Sequence, residues 1–185
     1  MEKSQFSNAI ENFHLPRCSE LPELDFYMDQ VISIMEKNLF LLSMDGISKF
    51  ITPSMINNYV KLGIIPPPKK KRYSKEHICY LFIICMLKSV VPIPSICEII
   101  KAQTKNCSVY ELYDMFCEAY ESMLMRAYET SKEILSETED FEEALAKLSL
   151  FMSINAGTAQ LIATNTLKAF PTGEKTDKSD DKKVQ

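Results

Sequence analysis

An almost all-α protein is predicted by three observations. The 185 residues include only four glycines and no tryptophan, long stretches are built of Met, Leu, Ile, Glu and Lys, and few segments alternate apolar and polar residues as a half-buried strand would. The one departure expected from helix is an extended arm, where three prolines and four cations run together as PPPKKKR at 66–72. The length suffices for one domain with an appendage or for two small domains. Four segments are expected: a strap over 1–23, a domain over 24–101, a helical region over 108–170 and a solvated tail over 171–185.

The strap opens with a short helix over residues 4–13, and LPRCSELPEL then carries two prolines that set the path over the core. A helix beginning near Asp25 and reaching about Phe40 is predicted to bury Tyr27, Met28, Val31, Ile32, Ile34, Met35 and Leu39. The connection LLSMDGISKFI is longer than a tight turn, with its bend at Asp45-Gly46.

The next helix, 52–62, is firmly punctuated. Thr52 suits the cap, Pro53 the first helical position, and Gly63 the stop. Met55, Ile56, Tyr59 and Leu62 fall near one face, which leaves Ser54, Asn57, Asn58 and Lys61 looking outward. That outward face is polar but barely charged. An asparagine offers a donor and an acceptor side by side, matching the major-groove edge of adenine, and a neighbouring lysine can neutralise a phosphate.

Pro66, Pro67 and Pro68 then hold the chain extended, and Lys69, Lys70, Lys71 and Arg72 follow with no acid among them, a stiff arm charged at its tip. The bland reading is a solvated loop. Ser74 caps the following helix, with a single cap expected because His77 stands where a capping box has Glu or Gln. Ile78–Leu87 is apolar at all ten positions, about half a bilayer span, and so reads as a core helix of a soluble protein. After Lys88 and a Pro92/Pro94 break, a short helix turns Ile96, Ile99 and Ile100 inward.

At these residues the chain resembles MerR-type regulators. MINNYVKLGII is similar to their recognition helix and the turn after it, KKKRYSKEHI to their wing and next helix start, and VPIPSICEII to the helix that closes their domain. Upstream, LPELDFYMDQVISIME extends the likeness to a less characterised bacterial family with a MerR-like winged helix-turn-helix, in which phrases like MDQV and MINNYVK recur. Tyr59, Gly63 and Tyr73 match the MerR pattern, whereas Asn57 and Asn58 stand where Arg and Tyr are usual, and Lys71 replaces the wing arginine. The resemblance implies a DNA contact made by Thr52, Ser54, Asn57, Asn58, Tyr59 and Lys61 from the helix, with Lys69, Lys70, Lys71, Arg72 and Tyr73 from the wing.

Charge is segregated in the same sense. Residues 46–90 hold eight Lys or Arg against one acid, and the rest of the chain holds thirteen against twenty-four, so a net charge of −4 conceals one basic face.

Beyond residue 101, Ser108 caps a helix predicted to reach Glu137, in which Tyr113, Phe116, Tyr120, Met123, Ala127, Thr130 and Ile134 form a heptad seam. A second helix from about Asp140 places Ala144, Leu148, Phe151, Asn155, Ile162 and Phe170 near one side, with small residues at Ala156, Gly157, Ala159 and Ala163. Two arrangements stay open: an intrachain hairpin, or a bundle shared by two subunits with Tyr113, Phe116, Tyr120 and Met123 at the dimer contact.

Catalysis is not expected. His14 and His77 lie far apart without a nucleophile motif, there is no phosphate-cradling glycine loop, and EDFEE at 139–143 suits a helix N-terminus. The six cysteines include no CxxC, so neither metal nor cofactor is predicted; Cys107 and Cys117 flank a helix start where metal-sensing MerR proteins place ligands, and the effector role that this resemblance implies is weighed against plain burial. MEKSQFSNAIENFHL has no apolar core, and a cytoplasmic protein is expected, with no membrane partner. The expected function is a dimeric transcription regulator on an inverted-repeat duplex. The alternative is a protein-interaction module that kept the fold and lost DNA reading.

Overall fold

The computed structural model describes residues 3–39, 51–137 and 139–169. Seven α-helices occupy them: α1 (Lys3–Glu11), α2 (Met28–Leu39), α3 (Pro53–Lys61), α4 (Lys75–Leu87), α5 (Ile93–Gln103), α6 (Val109–Ser136) and α7 (Phe141–Lys168). Among the described residues there is no strand, only two isolated antiparallel bridges, Phe26 with Tyr73 and Lys69 with Arg72, so the all-α class holds. The expected bend at Asp45-Gly46, the helical positions of Phe40 and Phe170 and the tail from 171 lie outside the described residues.

The centre of the fold is α4. Nine of its thirteen residues are buried, His77 through Met86 with only Tyr80 partly open, because the helix has no polar side to turn toward water. It is packed by α2, α5 and α6, and Phe82 lies against Tyr113 of α6 with ring centroids 5.5 Å apart. Each large side chain so enclosed contributes about 1.5–3 kcal/mol by the area it removes from water. No helix of the described residues is long and apolar enough to cross a membrane. α2 supplies Val31, Met35 and Leu39 at a spacing of four. Tyr27, expected on that buried side, precedes the helix and stands half exposed.

The strap between α1 and α2 is clasped to α6 by charge as well as by apolar burial of Leu15 and Leu21. Arg17 makes a two-pronged pair with Glu121, at 2.8 and 2.5 Å, while the Leu15 amide donates to the same carboxylate at 2.7 Å. The Tyr113 hydroxyl donates to the Pro16 carbonyl at 2.7 Å, and the Cys18 amide donates to Asp114 at 2.7 Å.

Both long helices begin where their caps predict. Ser108 and Glu111 form a reciprocal capping box, and Asp140 accepts from the amides of Glu142 and Glu143 at 2.9 and 3.2 Å. α6 and α7 pack as an intrachain hairpin. The seam differs from the heptad. The positions that turn inward are Tyr113, Cys117, Leu124, Tyr128 and Ile134, with Phe116 and Tyr120 half buried and Met123 69% exposed, since beyond Tyr113 the packed line runs through 117, 124 and 128, the side that meets the neighbouring elements. In α7 the inward line is Ala144, Leu148, Met152, Ala163 and Leu167; Phe151, Asn155 and Ile162 face out instead.

The Arg17 bond holds the Glu121 carboxyl below its usual range, so its contribution is present at neutral pH and fades as acid protonates it. Glu121→Gln is expected to lose about 1–3 kcal/mol at pH 7. Urea unfolding over a pH series checks this: the gap to wild type should narrow below about pH 4.

Candidate nucleic-acid interface

The polar helix α3 is set by its ends. Thr52 Oγ accepts the Met55 amide at 3.2 Å, Pro53 occupies the first turn, and Gly63 takes φ +68° to release the chain. Ile56 and Tyr59 face the core, and the helix packs on α2. Ser54, Asn57, Asn58 and Lys61, at i, i+3, i+4 and i+7, form one exposed face as expected. Met55 and Leu62, expected inward, are open: Leu62 is the C-cap beyond the last packed turn, and the Met55 sulfur meets Lys88 Nζ at 3.8 Å.

Two residues of the expected DNA contact are core residues. Tyr59 is buried and its phenol is pushed up to about 12 by desolvation; Tyr73 is buried likewise, its ring edge-on to His77 with centroids 5.4 Å apart. Each falls on the inward side of its segment, so neither ring reaches a ligand outside. Thr52 is partly covered, its oxygen occupied by the cap.

The basic arm is a tight turn. The Arg72 amide donates to the Lys69 carbonyl at 2.9 Å, and Lys70 and Lys71 between them take φ of 50° and 62°. Two successive left-handed residues make a type I′ turn, which Asn-Gly normally forms. Lysines there cost about 1–2 kcal/mol each, strain borne while both cations are presented at the tip. Phe26 and Tyr73 exchange both backbone hydrogen bonds at 2.8 Å, which joins the returning leg to the start of α2.

One imidazole ties the two legs together. The His77 Nδ1 accepts the Ser74 amide at 3.0 Å and lies 2.8 Å from the Ser74 hydroxyl, while Nε2 lies 3.1 Å from the Pro66 carbonyl. These partners require a neutral ring with its hydrogen on Nε2. The single cap expected at Ser74 is thus a reciprocal one, with imidazole in the place of a carboxylate.

Of the four cations, Lys69, Lys70 and Lys71 are exposed, and Arg72 is steered by Tyr27. Its guanidinium donates to the Tyr27 hydroxyl at 2.9 Å and lies 4.6 Å from the ring centroid. Sequence reasoning missed Tyr27, because its partner is forty-five residues away. It also missed Lys88, which the C-terminal end of α4 delivers to the first turn of α3.

The expected dimer contact divides. Tyr113 is wholly enclosed in its own chain; Phe116 and Tyr120 pack on the core, with Phe13 against Tyr120 at 6.1 Å, which leaves Met123 as the member of the four that is open. Cys117 is buried and the Cys107 thiol donates to the Gln103 carbonyl at 3.4 Å. Among the described residues no group of three or more potential ligands converges on a metal position.

Burial holds the His77 imidazole below its usual range, so the unfolded chain takes up a proton more readily than the folded one. Stability is therefore expected to be full above about pH 6.5 and to fall as the pH drops through the folded value. His77→Ala should lose about 1–3 kcal/mol at pH 7.5 and flatten this slope, as measured by urea unfolding between pH 5 and 8.

Comparison with curated proteins and with solved structures gives no match. Comparison with protein families matches residues 16–123, the stretch from the strap to the middle of α6 that the Arg17–Glu121 clasp closes. That match takes in more than half of the chain, which therefore belongs to the family described as domain of unknown function DUF1836.

Proposed function

We propose that this chain is a DNA-binding transcription regulator of the MerR-like winged helix-turn-helix kind, with α3 in the major groove and the 69–73 arm as a wing on the flanking phosphates. The observation that carries this reading is the pairing of an uncharged amide face, Asn57 and Asn58 between Ser54 and Lys61, with a stiff cationic turn tied to the same core. Amides at that spacing suit base edges, and the lysines suit backbone oxygens. The acidic remainder of the chain would keep nucleic acid off every other face. A non-enzymatic role is favoured because both ring nitrogens of His77 are engaged in structural bonds. A single short recognition helix reads few base pairs, so the reading includes a second copy on an inverted repeat.

Selection from a random duplex pool followed by salt titration tests the proposal. An enriched inverted repeat and a log–log slope near −0.9 per phosphate contacted are expected. Weak, sequence-blind binding would instead mark the arm as a dock for an acidic protein. Asn57→Ala and Asn58→Ala should each relax sequence choice by about 1–3 kcal/mol per good contact, read as the ratio of affinities for selected and random duplexes.

Lys71→Gly separates strain from charge. Glycine accepts the left-handed turn, so thermal unfolding should show a gain of about 1 kcal/mol. DNA affinity should fall, with the salt slope shallower by about one ion.

A further inference from the structure

α7 is a helix of 28 residues in which only Ala144 is buried. From Leu148 to Leu167 it contains no charged residue at all, twenty positions in succession. A solvated helix face ordinarily carries Glu and Lys pairs, and this one carries apolar side chains instead. Leu150, Phe151, Ile154, Leu161 and Ile162 stand between 44% and 67% exposed. Leu150, Ile154 and Leu161 lie on the side away from Leu148, Met152 and Leu167, which face α6 and the core, while Phe151 and Ile162 stand at the margin between the two sides.

The outward line has a period of its own. Lys147, Phe151, Ile154, Thr158, Leu161 and Asn165 alternate steps of four and three, the spacing by which one helix is buried against another. Gly157 lies beside this line, one residue before Thr158, and nothing lies within 4 Å of where its Cβ would be. A glycine weakens a solvated helix, and its use is to let a second backbone come close.

We propose that this outward face of α7 is the contact through which two copies of the chain associate, the two helices crossing near Gly157. It supplies the surface for the second copy invoked above, but it rests on α7 alone. Three observations select a second copy. The five exposed side chains offer roughly 500 Å² of apolar surface, so two copies closing on each other bury about 1,000 Å², the threshold of a specific interface. The face carries one charge, Lys147 at its edge, which pairs with Glu137 of its own chain, so no charge pattern specifies a different partner. From Phe151 onward the line is uncharged, so a two-fold axis brings no like charges together along it. Residues 171–185, the chain that follows, contain Val184 as their one large aliphatic and have nothing with which to cover it.

Light scattering of the full-length protein at micromolar concentration, without DNA, is the test. Wild type is expected at twice the chain mass. Ile154→Asp combined with Leu161→Asp should raise the dimer dissociation constant at least a hundredfold and give the single-chain mass, with helical circular dichroism retained because both side chains are open in the protomer. Gly157→Leu provides an independent variant: it should dissociate the dimer while raising the helix content. A monomeric wild type overturns the proposal, and so does a dimer that survives the double aspartate variant. Neither outcome depends on whether α3 reads DNA, which the duplex titration decides separately.

Discussion

A helix with no polar side has to be enclosed on every side, and that requirement of α4 organises the molecule. Its run from Ile78 to Leu87 leaves no stripe for water, so α2, α5 and α6 must cover it. Apart from the partly open Tyr80, only its two ends reach the surface, and both emerge beside α3 and the arm. At the first, Ser74 and His77 anchor the legs of the basic turn; at the second, Lys88 reaches the opening turn of α3. The same burial that stabilises the core therefore fixes where the polar and cationic groups are displayed.

The arm shows how such a display is held against its own preferences. Lys70 and Lys71 are in a backbone region that L-residues avoid, and four neighbouring cations repel one another. Left alone, a segment of this kind would open. Three restraints oppose that: the prolines before it, the Phe26–Tyr73 backbone pair, and the imidazole joining Pro66 to Ser74. Arg72 is further oriented by the face of Tyr27. A turn ordered beforehand forfeits little conformational freedom when it meets an anionic surface, and this gives the strain a use.

The family boundary and the packing agree on what constitutes the unit. The match from 16 to 123 joins the strap to the first half of α6, and the Arg17–Glu121 pair closes that loop, with Tyr113 fastened to Pro16 beside it. α7 lies outside the match and contributes little to the core. Its exposed apolar line, with no charged residue from Leu148 to Leu167, is out of keeping with a solvated helix.

What the sequence determined by itself is the set of features that local chemistry decides. Thr52 with Pro53, Ser108 with Glu111, and Asp140 each satisfy amides within four residues, so the starts of α3, α6 and α7 were legible, as was the outward face of Asn57, Asn58 and Lys61. The depth of α4 followed from composition alone. Tertiary structure decided whatever depends on partners distant in the chain: Tyr27 under Arg72, Lys88 beside Met55, and Arg17 on Glu121. It also withdrew Tyr59, Tyr73 and Tyr113 from the surface roles that their residue type suggested, because large rings at inward positions are worth more to the core than to a contact outside. The seam of α6 moved for a related reason. A four-and-three repeat marks a helix face only to within some tens of degrees per turn, and the residues that are finally buried are those that meet a neighbouring surface, which no periodicity within one helix can specify.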